Sequence, residues 1–191
     1  GLDTAQVAAL STAQVASLQT ADLVKLDTAQ INALTTAQIR ALTTDVQVPA
    51  LLSTQINAMT TTQVAALSNA QATALTTLQA ANLGTTQVAA LTTGAIAAMD
   101  VEDVAAMSTA AVAAMSTDQI RALTTGADGQ VEGLTTDQVT ALKTAQVAAF
   151  TTAQVASLTT DQVGSLKTAQ LAALTTAQIV AIETDDLQVM T

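Results

Sequence analysis

A large apolar residue returns every eight positions along this chain, and that spacing limits the possible folds more than any other feature. It precedes a Thr pair or its equivalent at Leu2, Leu10, Leu18, Leu26, Leu34 and Leu42, and the series runs on from Leu51 to Met190. Two intervals depart from eight: Leu42 to Leu51 spans nine residues and Leu123 to Leu134 spans eleven. Residues 1–191 therefore read as a single octapeptide-repeat array, with a one-residue insertion near 43–51 and a three-residue insertion near 124–134.

Numbered from that large residue, the consensus from position 1 to position 8 is L-T-T-A-Q-V-A-A. Position 6 is usually β-branched, as at Val7, Ile31, Ile39, Ile120 and Val139, and position 8 is small, as at Ala33, Ala41 and Ala173. Position 7 accepts Asn32, Arg40, Pro49, Thr73 and Glu132. This pattern predicts a core of positions 1 and 6, close backbone approach at position 8, and solvent at position 7.

Three folds compete for such an octad. In one continuous helix, eight residues at about 100° each rotate the Leu row by roughly 80° per repeat, so no stripe faces a partner. A β-solenoid keeps every position on one face because the period is even. It also sends positions 1 and 6 to opposite faces, relies on Ala in strands, and lacks turn glycines at fixed places.

The third fold is a chain of very short helices. Thr at position 2 and Gln at position 5 form the capping box, while the apolar residues at positions 1 and 6 occupy the two places of the hydrophobic staple. Leu34, Thr35, Gln38 and Ile39 make one complete start signal, and Leu174, Thr175, Gln178 and Ile179 another. Because Thr is more constant at position 3 than at position 2, the pattern leaves the N-cap at either place.

Charge agrees with this register. Of the fifteen acids, all but Asp128 and Glu132 fall at positions 2, 4 or 5, where a helix start favours negative charge. Arg40, Arg121 and Lys25 lie near helix ends; Lys143 and Lys167, at position 2, run against the trend. Helices of about six residues do not persist alone in water. The expectation is an all-α solenoid or superhelix of very short capped helices, one per eight-residue repeat, each buttressed by its neighbours.

Composition narrows the function. The formal net charge is −10, which opposes binding to phosphate backbones and to anionic lipid, so no nucleic-acid partner is expected. Polar steps every eight residues leave no apolar run near the roughly 20 residues a membrane helix needs, so no membrane insertion is expected. There is no Cys, which excludes disulfides and thiolate metal sites. Residues 1–30 already follow the repeat, which places any signal sequence outside this stretch.

Catalytic chemistry finds no foothold in the pattern. His and Cys are absent, and Ser and Thr recur as caps with no base beside them, so the expectation is a non-enzyme with no catalytic, cofactor-binding or metal site and no cofactor. Two acidic clusters, Asp100 with Glu102 and Asp103, and Glu183 with Asp185 and Asp186, have the oxygen donors a hard cation wants. Both occupy positions 2, 4 and 5, which helix capping explains without an ion. Residues 126–129, GADG, resemble a piece of a calcium loop but lack its ligand spacing, and read as a turn. The recurring Thr residues fit an ice-binding ladder less well than they fit caps. The Gln at position 5 either closes each capping box or stacks as an amide ladder between layers.

The octads LDTAQVAAL, LTTDQVTAL and LTTAQIRAL resemble tandem octapeptide repeat arrays of large bacterial surface or secreted proteins of adhesin type. That resemblance covers essentially the whole chain. It implies a secreted or cell-surface stalk or spacer whose partners are neighbouring domains of a larger chain, or alternatively a protein- or glycan-binding adhesion module. LTTAQIVAI at residues 174–182 is also similar to the opening of TAL effector repeats. The Pro, second helix and base-reading loop of those repeats are missing, which removes the DNA-reading implication.

Overall fold

The computed structural model describes residues 1–183 and Asp186; these form 22 helices and no strand. Each helix is four to six residues long, and there is one per repeat from Thr4–Ala8 to Thr176–Ala181. The all-α solenoid expected from the octad is the fold that the chain adopts, and the β-solenoid is not.

The capping box builds each helix start. At Thr135 the backbone is extended (φ −70°, ψ 154°), its hydroxyl accepts the Gln138 N–H at 3.1 Å, and Gln138 Oε1 accepts the Thr135 N–H at 2.9 Å. Two of the orphan donors at that helix end are thereby satisfied. Outside the two inserted repeats, where Val46 and Gly129 precede the helices, the N-cap lies at position 2, including where Asp3, Ser11 and Asp27 replace Thr. Where position 2 is Leu52, Gly84, Lys143 or Lys167, only the return bond from backbone N–H to Gln Oε1 remains.

Each helix is stopped by the start of the next. An N-cap needs extended backbone, and the preceding position-1 residue is extended too, as at Leu134 (φ −60°, ψ 136°). Two extended residues in succession turn the chain without a left-handed glycine: among the described residues positive φ occurs only at Gly126.

Successive turns stack so that each helix packs against the third one along. Thr28–Ala33 lies on Thr4–Ala8, Thr36–Ala41 on Thr12–Ala16, Thr93–Ala98 on Asn69–Thr73, and Thr160–Ser165 on Thr136–Ala141. The core follows the predicted rows. Position 6 is innermost, with Val7, Ile39, Ile120 and Val139 fully buried, and position 1 forms a second row from Leu34 to Leu166. Full burial of such a side chain contributes about 1.5–3 kcal/mol, which offsets the weakness of a five-residue helix. Position 8 is mostly half-buried and position 7 mostly exposed or half-buried.

Both insertions bulge outward between the cap and the Gln. In the first, Gln47 Oε1 accepts the N–H of Thr43 at 2.9 Å, four residues back instead of three. In the second, Gln130 Oε1 accepts the Thr124 N–H and Thr124 Oγ1 accepts the Gln130 N–H, both at 3.1 Å and six residues apart. The extra residues of the second form the GADG turn, with Gly126 at φ 116°, a conformation open to glycine at little cost, and with its N–H donated to Glu132 Oε1 at 2.9 Å.

Candidate functional site

The feature that repeats most faithfully is a buried amide. From Gln38 to Gln178 every Gln at position 5 is buried, although Gln ranks among the residues least often found inside. Its Oε1 closes the capping box of its own helix while its Nε2 reaches the turn beneath. Gln38 Nε2 donates to the carbonyls of Val7 at 3.0 Å and Leu10 at 2.7 Å. Gln71 does the same to Ile39 and Leu42 at 2.7 and 2.9 Å, and Gln162 to Val131 and Leu134 at 2.9 and 2.6 Å.

These acceptors lie at a helix C-terminus, where carbonyls lack the usual N–H four residues on; those at position 6 are shared with the N–H three residues on, as the Val7 carbonyl is with Leu10 at 3.2 Å. One side chain therefore caps the start of its own helix and the end of a helix in the previous turn. The Nε2 partners lie 28 and 31 residues back where no insertion intervenes, so one superhelical turn holds between three and four octads. The capping reading of the recurrent Gln is correct, and the amide does link layers, but by bonding backbone carbonyls and not by stacking on the Gln of the next layer. A Glu closes a capping box as well as Gln does, but a carboxylate has no N–H to donate.

The bulged repeats keep this contact. Gln47 Nε2 donates to Val15 and Leu18, both at 2.8 Å, and Gln130 Nε2 to Ile96 and Met99, both at 2.7 Å. Where the chain gains residues, it gains them outside the ladder.

The ladder is interrupted once between Gln30 and Gln178. Position 5 is Ala95, Asp103 and Ala111 in three consecutive octads, and the carbonyls that a Gln would meet there, such as those of Ala72 and Leu75, receive no amide. Asp103 is 3% exposed, its Oδ2 has no hydrogen-bond partner, and burial holds its carboxyl above the usual aspartate range. The charges of Asp100 and Glu102 push in the same direction, against a lowering contribution from the Thr77 hydroxyl that bonds it. Asp186 is likewise buried at position 5, with Thr160 Oγ1 donating to its Oδ1 at 2.7 Å.

The acidic clusters separate by position in the octad. Asp100 and Glu102 are exposed and, with Asp128 and Glu132, line a cleft of about 540 Å³ beside the GADG turn, whereas Asp103 is buried. Among the described residues no three carboxylates converge as ligands of one ion. In the second cluster Glu183 is exposed and Asp186 buried, and Asp185 lies outside the described residues. Charge pairs are local: Lys25 with Asp22 at 3.2 Å and Arg121 with Asp118 at 3.1 Å, both on the surface, where such pairs contribute little.

The octad itself is a recognised unit. The ALTTAQ repeat matches residues 15–53, 96–127 and 131–168, more than half of the chain. The chain belongs to the ALTTAQ repeat family. The third matched stretch opens at Val131, just after the three-residue bulge, and the second ends within that bulge at Ala127. In this ALTTAQ array the TTAQ core is thus the capping box together with its ladder amide. No curated protein and no solved structure matches the chain.

Proposed function

We propose that this ALTTAQ array is a non-enzymatic structural segment, a stalk or spacer in a large bacterial surface or secreted protein, working through its length. The Gln contact is the observation that supports this reading. Each laddered octad brings its own bonds to the turn beneath, so each octad added there extends the rod by a constant step. Stability in such an array grows as a sum of unit and neighbour contributions. Neighbouring domains of a larger chain are the partners this role implies.

Arrays lengthened or shortened by whole octads within the laddered stretches test it. Their maximum dimension, read by small-angle X-ray scattering, should change in proportion to octad number with the helical spectrum unchanged. A dimension that does not follow octad number would contradict the spacer role. The acidic cleft lined by Asp100, Glu102, Asp128 and Glu132 favours one second reading, a docking site for a basic protein segment. Loss of a bound partner on Glu102→Gln and Asp128→Asn substitution, with length behaviour intact, would move the assignment there.

A further inference from the structure

The three octads without a ladder amide amount to nearly one full turn, so three successive rungs are missing between that turn and the one beneath, and the ladder resumes with Gln119 on Val88 and Leu91. Across this seam the helix Thr93–Ala98 lies on Asn69–Thr73, and Val101–Ala106 on Thr77–Ala81. Ala95 and Ala111 bring no polar group to it. Asp103 is therefore the sole ladder-position side chain in the seam that is able to change its hydrogen-bonding character.

Its surroundings offer no compensating cation. On its own helix the charged neighbours are Asp100 and Glu102; the helix Gln130–Gly133, packed above, contributes Glu132, with Asp128 in the loop before it. The helix Thr77–Ala81, packed below, carries no titratable side chain and supplies only the Thr77 hydroxyl. An ionised carboxylate there is buried among acids with one oxygen unpartnered. A neutral carboxyl removes that charge and adds an O–H donor.

We propose that Asp103 makes the seam a proton-operated joint, closed when its carboxyl is neutral and loosened when it is ionised. The raised folded-state value sets the sign. The contribution to stability is complete below the ordinary aspartate range, where folded and unfolded chains are both protonated. It is lost as pH rises from that range through the higher folded value, because the folded state then holds more protons than the unfolded one.

Hydrogen exchange read by mass spectrometry on the whole chain tests this, with exchange times scaled for the intrinsic pH dependence. In the native sequence, protection of residues 69–83 and 93–113 should fall by about tenfold on passing from the acid to the alkaline side of the carboxylate range. Over the same range residues 136–156 should change little. Asp103→Asn should remove the change in the seam. Asp103→Ala, which copies Ala95 and Ala111, is a second pH-silent reference should the amide fold poorly. Seam protection that falls equally in both variants, or that rises with pH in the native chain, would overturn the proposal.

Discussion

The turn carrying Gln138 and the turn carrying Asp103 have the same octad period, the same helix lengths and the same buried rows, but they are joined to the chain beneath in different ways. Gln138 Nε2 donates to the carbonyls of Val104, Ala105 and Met107 at 3.0, 3.1 and 2.8 Å. At Asp103 no such donor exists, and closer packing of small and adaptable residues takes its place. Ala72 and Ala80 fill position 6 below the seam, Met99, Met107 and Met115 fill position 1 within and above it, and all are buried. Thioether side chains suit an interface with irregular gaps. At Gly94 an added Cβ would stand 2.9 Å from the Asn69 Oδ1 of the facing helix, a measure of how near the two layers come. A side-chain bond also crosses here, from Thr73 Oγ1 to the Ala98 carbonyl at 2.6 Å. Helices of four to six residues form in both turns, so a Gln at position 5 is not required to start a helix, and where it is absent other contacts join the turns.

Four substitutions break or sharpen this contrast. Gln138→Glu keeps the capping acceptor but turns a carboxylate toward buried carbonyls. It should cost about 4 kcal/mol by chemical denaturation near neutral pH, in the range seen for an uncompensated buried charge. Asp103→Gln should do the reverse. By supplying a donor for the Ala72 and Leu75 carbonyls and removing a buried charge, it should stabilise the chain by about 2 kcal/mol and slow exchange across the seam. Thr135→Ala and Thr92→Ala remove cap acceptors, one in a laddered repeat and one in the seam; Thr92 Oγ1 accepts the Ala95 N–H at 3.0 Å. Each should cost about 1 kcal/mol, and the two costs should agree, because a cap is local to its own helix.

Much of this fold is legible in the octad. The period, the two insertions, the capping box and the two apolar rows all follow from spacing and from rules that act within about six residues, while the choice between positions 2 and 3 for the N-cap comes from the structure. The partner of Gln Nε2 does not, because it lies 28 or more residues away and no local rule names it. The third buried row stays hidden for a related reason. Gln38 and its equivalents are polar, and an apolar pattern does not assign them to the core, yet their burial is offset by bonds at both ends of the amide. One signal in the sequence does point to it. A capping box is served by Glu or Gln alike, but position 5 is never Glu in this chain; the acids there are Asp22, Asp103 and Asp186. Absence of the equivalent cap residue implies that the second half of the amide is in use. The acidic cluster at Asp100, Glu102 and Asp103 was also only half legible. Capping charge accounts for the first two, while the third occupies a ladder position whose burial depends on the turn below.

Solvent exchange of the Gln side-chain amide protons, measured residue by residue with nuclear magnetic resonance, tests the ladder most directly. Gln6 and Gln14 are exposed, whereas Gln38, Gln71 and Gln162 each place Nε2 against two carbonyls. The account predicts exchange at the free-amide rate for the first pair and strong protection of both Nε2 protons for the other three. Equal, unprotected exchange at all five would contradict it.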